Sequence, residues 1–419
     1  MKVLVVGGGG REHALVWKIS QSPRVSKIYC APGNGGISEL AECVDIAATN
    51  VPEMVRFAKE HDIDMTVVAP EDPLAMGMVD ALKDEGLKAF GPTKDAAVIE
   101  SSKVFAKRLM QKYGIPTAEY RTFDDYHKAL EYAETVRYPI VIKAEGLALG
   151  KGVIIANNTD GAKQALKSMM VDNVFGHAGQ RVIIEEYLTG SEVTVLAFTD
   201  GKSIVPMVSS QDHKRVYDND EGANTGGMGA FSPSRMYTAK VAEQVEETII
   251  KPTIEAMAKE GRPFQGVLYF GLMLTEQGPK VLEYNARFGD PETQVVLPRL
   301  KTDIVDIFEA VIDKRLDQID IQWDDNAAVC VVLASGGYPG EYKKGYPITG
   351  LDRVMEDPQT VVFHSGTRKI DGEYYTNGGR VLGVTAVADD LDSAVKKAYE
   401  SVSKIHFQDM HYRRDIGRK

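Results

Sequence analysis

The chain opens on an unbroken apolar run, Val3–Val6, followed by Gly7–Gly10 and then by helical spacing across Glu12–Ser20. A short apolar run closed by glycines reads as a buried strand, and apolar positions three and four apart read as a helix facing a core. A second strand pattern at Lys27–Cys30, amphipathic Pro52–His61 and a further strand run at Met65–Ala69 repeat the alternation. This predicts a doubly wound parallel sheet over residues 1–102. Ligands of such sheets bind at the carboxyl ends of the strands, where Gly7–Gly10, Pro32–Gly36 and Pro70–Pro73 fall.

Beyond it the pattern changes. Residues 101–118 have helical spacing that stops near Gly114, with Pro116 after it. Strand patterns at Ile140–Lys143, Val153–Ala156 and Arg181–Glu186, with a helix between, predict a small α+β lobe over about 120–190. Strand Val193–Phe198, a glycine-rich loop at 222–229, a helix at 237–260 and a hairpin of Val267–Leu274 with Lys280–Tyr284 fill the rest of a central unit, 103–325. Residues 326–419 are strand-rich, with turns at Gly336–Gly340 and Asn377–Gly379 and a closing helix near Asp392–Ile405. The fold class is therefore a multidomain α/β and α+β protein.

The 419 residues suit three domains at ~150 residues each. With 49 basic and 60 acidic residues, the net charge is −11. So acidic a chain repels phosphate backbones at long range, which argues against nucleic-acid and anionic-membrane partners. A small anionic substrate stays possible, because local charge decides its binding. Cys30, Cys43 and Cys330 form no close-spaced pair, so a reduced, cytoplasmic protein without a zinc site is expected. No apolar run reaches the ~18 residues of a membrane span, and the N-terminus reads directly as a strand.

Five stretches carry candidate chemistry. In Gly7–His13, a glycine turn between strand and helix offers backbone N–H groups to a phosphate, or is simply a tight structural turn. The third glycine of a dinucleotide fingerprint is missing (Glu12 or His13 stands there), which disfavours a nicotinamide cofactor. In Lys143–Gly152, a strand ends in lysine and Gly146, Gly150, Lys151 and Gly152 follow. That loop can wrap a polyphosphate, or be an ordinary hairpin. Glu185, Glu186, Leu188 and Glu192 surround a connector that could face an adenine edge and ribose hydroxyls, or only solvent. In Glu283–Glu292, period two puts Glu283, Asn285 and Arg287 on one strand face, where two oxygen ligands beside a cation suit Mg²⁺. Gln211–Arg215 with Asn224–Gly229 could form an anion-binding wall or a solvated charge run.

Taken together, GGGGREHAL, APGNGG, SKVFAK, KAEGLALGKGV, SSQDHKR, NTGGMGAFSP and EYNARFGDPETQ resemble the ATP-grasp ligases, and among them the phosphoribosylamine–glycine ligase family. The matching stretches run from residue 7 to 294, and Gly336–Gly340 and Gly379–Leu382 extend the similarity. The resemblance implies an ATP-grasp core with a mobile lid lobe and a step of purine synthesis. Glycine, ATP and 5-phosphoribosylamine would be joined through a glycyl phosphate, with Mg²⁺ or Mn²⁺ as cofactor and a monomeric enzyme. It implies that Lys103, Lys143, Gly146, Gly150, Lys151, Gly152, Glu185, Glu186, Leu188 and Glu192 bind ATP, and that Glu283 and Asn285 hold the metal. Asp212, His213, Arg287 and Asp290 would be catalytic, lining the glycine and acyl-phosphate site. Gly8, Gly9, Gly10, Arg11, Asn34 and Glu71, with Lys214, Asn224, Gly226 and Gly227, would bind the other substrates.

Three departures stand out. Gly271 occupies a position where many ATP-grasp enzymes carry a metal-binding carboxylate, so ATP and Asn285 would hold a second metal. Glu145 replaces an expected aspartate, and Val216, Tyr217 and Ala223 alter the surroundings of the glycine loop.

Overall fold

The computed structural model describes residues 1–146 and 152–418. Its N-terminal unit is a five-stranded parallel sheet in the order Glu42–Cys43, Lys27–Pro32, Lys2–Gly7, Met65–Val68, Ala89–Phe90. The chain leaves Lys2–Gly7 first to one side and later to the other, so the Gly7–Gly10 turn lies at the switch point. Lys2–Gly7 is apolar throughout because both faces are covered. Leu4 and Val6 pack into one core cluster, and Val3 and Val5 into another. Cys30 and Cys43, distant in sequence, are register neighbours on adjacent strands, and all three cysteines are free thiols.

The helix predicted over 101–118 is present as Lys103–Tyr113, and a further helix precedes it. Helix Lys94–Ser101 ends, and Ser102 caps a new helix, Lys103–Tyr113, by accepting from the Phe105 N–H at 3.1 Å. Gly114, at φ 70°, closes that helix in the left-handed region. Strands Tyr120–Phe123, Val182–Glu186, Ile140–Ala144 and Val153–Ala156 form an antiparallel sheet. With helices Tyr126–Thr135 and Thr159–Met170 it encloses an apolar cluster of its own. This is the predicted lobe.

The central sheet runs Ile204–Pro206, Ser191–Asp200, Gln265–Thr275, Gly278–Asn285. The predicted hairpin is its last pair, with a register shift beside Gly271. The helix predicted at 237–260 is two α-helices, Ala239–Val245 and Lys251–Lys259, joined by a π-helical turn at Glu246–Ile250.

The C-terminal sheet crosses the boundary read from sequence. Strands Ala327–Ala334, Arg380–Ala388 and Thr360–His364 are extended by Gly229–Ser232 and Gln211–Asp212 of the central unit. The glycine-rich loop is therefore built partly on C-terminal hydrogen bonds. Helix Leu391–Val402 covers this sheet. Among the described residues no helix is long and apolar enough to cross a membrane.

His13 and His364 join the first and last units. The His364 N–H donates to His13 Nδ1 at 2.7 Å, and the rings lie 5.6 Å apart. Burial lowers His13 to about 3 and His364 to about 4. Both values lie below the ~6.5 of an unfolded histidine. The unfolded chain therefore protonates first, and stability present above about pH 6.5 is lost as pH falls toward 4 and then 3. Urea unfolding at several pH values should show this slope, and it should flatten in His13→Gln. Parallel slopes for the two proteins would show that the pair does not drive the acid sensitivity.

Candidate functional site

Helix Lys103–Tyr113, strand Ile140–Ala144, strand Val182–Glu186 and the hairpin strand Gly278–Asn285 bring one set of charges together. Lys103 Nζ donates to the Gly146 carbonyl at 2.8 Å, and Lys143 Nζ donates to the Leu282 carbonyl at 3.0 Å. Glu185 is 3% exposed, and its carboxylate pairs with Lys143 at 3.0 Å and Lys107 at 3.2 Å. Burial drives Lys107 down to about 8, although Glu185 opposes it. Leu188, buried with Ala118 and Met273, floors a small apolar patch beside this cluster. Glu186 points elsewhere, pairing with Lys280 at 3.0 Å.

Glu283 faces Lys214 at 3.3 Å, and Glu192 faces the same ammonium at 3.6 Å. Lys214, with Lys143 and Lys103, outweighs burial and holds Glu283 at about 2. Asn285 ends the same strand two residues on, opposite Tyr269. Behind them lies a buried acidic patch. Burial pushes the Asp212 carboxyl above its usual range, with Glu292 adding to the effect and Lys214 opposing it. Glu292 is also raised by burial. Thr194 Oγ1 lies 3.1 Å from the Tyr269 hydroxyl and 3.5 Å from Glu292 Oε1.

A second set of charges runs from the central unit to the N-terminal turn. Arg287 pairs with Glu100 at 3.2 Å and Glu71 at 2.9 Å; Glu71 meets Arg11 at 3.6 Å; Arg11 meets Glu12 at 2.6 Å. Glu12 in turn accepts from the Gly9 N–H at 2.6 Å. Burial would raise Glu71, but Arg287 and Arg11 prevail and hold it well below the carboxylate range. Asn34 shapes the adjoining loop, donating to the Gly8 and His364 carbonyls and accepting from the Gly36 and Ile37 N–H groups.

The glycine-rich loop folds over residues 213–214. Met228 N–H donates to the His213 carbonyl and Thr225 N–H to the Lys214 carbonyl, both at 2.8 Å. Asn224 pairs with Arg215 in a short ladder. His213 is buried, its ring 5.8 Å from that of Phe231.

Three family models cover the chain: the phosphoribosylglycinamide synthetase N domain at 1–100, its ATP-grasp (A) domain at 101–293 and its C domain at 328–419. A phosphoribosylamine–glycine ligase of Caldanaerobacter subterraneus subsp. tengcongensis is 52% identical over 417 residues, which are 100% of this chain and 99% of that protein. The chain belongs to the phosphoribosylamine–glycine ligase family. The trifunctional purine biosynthetic protein adenosine-3 of Gallus gallus is 49% identical across 99% of this chain and 42% of its own length. The crystal structure of the Thermotoga maritima phosphoribosylamine–glycine ligase superposes with a TM-score of 0.87 at 32% identity, covering 99% of this chain and all of that one. A Hydrogenobacter thermophilus biotin carboxylase domain, in complex with MgADP, ADP and bicarbonate, shares the fold at TM-score 0.74 and 15% identity, covering 98% of this chain and 91% of that one.

For this phosphoribosylamine–glycine ligase family member, the geometry revises several residue readings. Arg287 does not share an open strand face with Glu283 and Asn285. The strand ends at Asn285, and the guanidinium is taken up by Glu71, Glu100 and the Phe288 carbonyl. Among the glycine turn's N–H groups, that of Gly9 is already bound by Glu12, and Asn34 is committed to its own loop. Gly150 and Lys151 lie outside the described residues. Sequence reasoning missed Lys107, Glu100, Glu292 and Tyr269. Lys107 had a signal, since it falls one helical turn after Lys103. Glu100 had none, because its partner Arg287 is far along the chain.

Glu185 is the shared counter-charge of two buried lysines. Glu185→Ala should lower the unfolding free energy by about 3–5 kcal/mol, since breaking a buried pair strands the remaining charge. Urea titration monitored by circular dichroism measures it, and an unchanged midpoint would contradict the assignment.

Proposed function

We propose that this protein is an ATP-dependent carbon–nitrogen ligase that joins glycine to 5-phosphoribosylamine, releasing ADP and phosphate, in de novo purine synthesis. The observation that carries the reading is the convergence of Lys103, Lys143 and Lys214 on Glu283, within a chain of this family along its whole length. ATP would phosphorylate the glycine carboxylate. The amine nitrogen would then bond to the glycyl carbonyl carbon as the carbon–oxygen bond to phosphate breaks. Phosphate leaves with the electron pair, and the amine proton passes to Asp290 or Asp212.

Lys103 and Lys143 serve the ATP phosphates in this reading, and Leu188 and Glu192 face the nucleoside. Charge neutralisation and exclusion of water are the main tasks, because polyanions and a carboxylate must meet. Lys214, Asp212 and the loop around Asn224, Gly226 and Gly227 serve the glycine side. The turn Gly8–Gly10 with Arg11 serves the phosphoribosyl group.

Glu283 and Asn285 suit Mg²⁺ or Mn²⁺. Both are hard oxygen donors on one strand face, and Glu283 with Glu192 already accommodates the ammonium of Lys214. The bound metal would neutralise charge on the nucleotide phosphates. The unpaired thiols suit a reducing, cytoplasmic setting.

Multiple-turnover ADP release should require ATP, glycine and a nucleophile, either freshly prepared phosphoribosylamine or added hydroxylamine, and formate or bicarbonate should not replace glycine. Release that ignores glycine would overturn the reading. Glu283→Ala should lower kcat by about 10²–10³, the scale of removing one preorganised electrostatic group. Normal turnover of that variant at low Mg²⁺ would remove Glu283 from the site. Loss of nucleotide affinity should be greater for Lys143→Ala than for Lys151→Ala, and equal losses would contradict that ranking.

A further inference from the structure

Asp290 is held by a residue of the C-terminal sheet. Arg380 Nη2 pairs with Asp290 Oδ2 at 3.0 Å, and Arg380 Nη1 donates to the Asp290 carbonyl at 2.9 Å. The same Nη1 donates to the Gly226 carbonyl at 2.7 Å. One guanidinium thus ties the glycine-rich loop to the segment after the hairpin strand. Two further contacts close the arrangement. The Gly226 N–H donates to the Tyr338 hydroxyl at 3.0 Å, and Gln294 Nε2 donates to Asp290 Oδ1 at 2.7 Å. The loop has no slack here: Gly227 has φ +113°, and a Cβ on it would lie 2.4 Å from Pro291 Cδ.

The carboxylate so held is aimed at the N-terminal turn. A Cβ built on Gly9 would lie 3.6 Å from Asp290 Oδ2, and one on Gly10 would lie 3.7 Å from Asp290 Oδ1. A Cβ on Gly10 would also come within 2.6 Å of both Gln294 Nε2 and Ser365 Oγ. Polar atoms from the central unit and the C-terminal sheet therefore crowd against a turn that only glycine can occupy.

We propose that Arg380 is a positioning residue for the second half of the reaction: it fixes Asp290 against the Gly8–Gly10 turn, so that the carboxylate meets the amine of the incoming phosphoribosyl substrate. This rests on the reading of the site given above. Lysine cannot substitute fully, because one ammonium does not reproduce two nitrogens that hold a carboxylate, its own backbone carbonyl and a loop carbonyl together.

The test separates the two half-reactions. Glycyl phosphate formed from ATP and glycine alone is trapped with excess hydroxylamine as glycyl hydroxamate, a small nucleophile that needs no positioning. Amine transfer is measured as product formed from phosphoribosylamine. In Arg380→Ala, hydroxamate formation at saturating glycine should stay near wild type, with the loosened Gly226 contact read as a higher KM for glycine, while kcat for amine transfer falls by about 10²-fold, the cost of misplacing a reacting group by about 1 Å. Arg380→Lys should show the same split with a smaller loss, and it serves as the test if Arg380→Ala does not fold. Equal loss of both half-reactions, or full amine transfer in either variant, overturns the role. If the wild-type protein makes neither hydroxamate nor product, the ligase reading fails and takes this role with it. If the wild type makes both and the variants show no split, only the role of Arg380 fails.

Discussion

The ladder Glu100, Arg287, Glu71, Arg11, Glu12 and the Gly9 N–H is the interaction on which the rest of the site depends. Its charges alternate and all are largely buried. Removing any one would leave a neighbour desolvated without its partner, which is costly in a low-dielectric interior. The ladder begins just before helix Lys103–Tyr113, passes through the end of the hairpin strand and finishes on the glycine turn. It therefore fixes the N-terminal sheet against the central unit at the point where their substrates must meet. Arg287 supplies two rungs, and that commitment is why its fork is not free for a small carboxylate.

The opposite wall is held by different means. The lobe of residues 120–186 has its own apolar cluster, and its polar links to the hairpin are the bond that Lys143 donates to the Leu282 carbonyl and the ion pair of Glu186 with Lys280. Such charged contacts can be exchanged for contacts to a polyanion more readily than apolar packing can be undone. Lys214 shows the same economy, since its ammonium sits between Glu283 and Glu192, where a nucleotide-bound metal would compete for the same carboxylates.

Much of the fold was legible in the chain. The apolar runs Val3–Val6 and Met65–Ala69 are strands because a sheet covered on both faces needs continuous apolar residues. The hairpin, the lobe and the closing helix were equally plain. Short elements such as Glu42–Cys43 and Ala89–Phe90 carried too few residues to show a period. The helix predicted over 101–118 is there as Lys103–Tyr113; the helix before it, Lys94–Ser101, was not read, and the Ser102 hydroxyl separates the two by capping the second.

For the site, the sequence by itself determined which residue types stand near each other along the chain: glycine turns after strands, lysines at strand ends, and Glu283 and Asn285 at period two. Those are local properties, set by backbone geometry over a few residues. What only the tertiary structure decided is which charges meet. Glu100 and Arg287, Arg380 and Asp290, and His13 and His364 are separated by long stretches of chain. The joining of the C-terminal sheet to Gly229–Ser232 was invisible for the same reason. A buried ion pair or a strand pairing depends on where the backbone returns, and no local pattern of hydrophobic and polar residues encodes that distance.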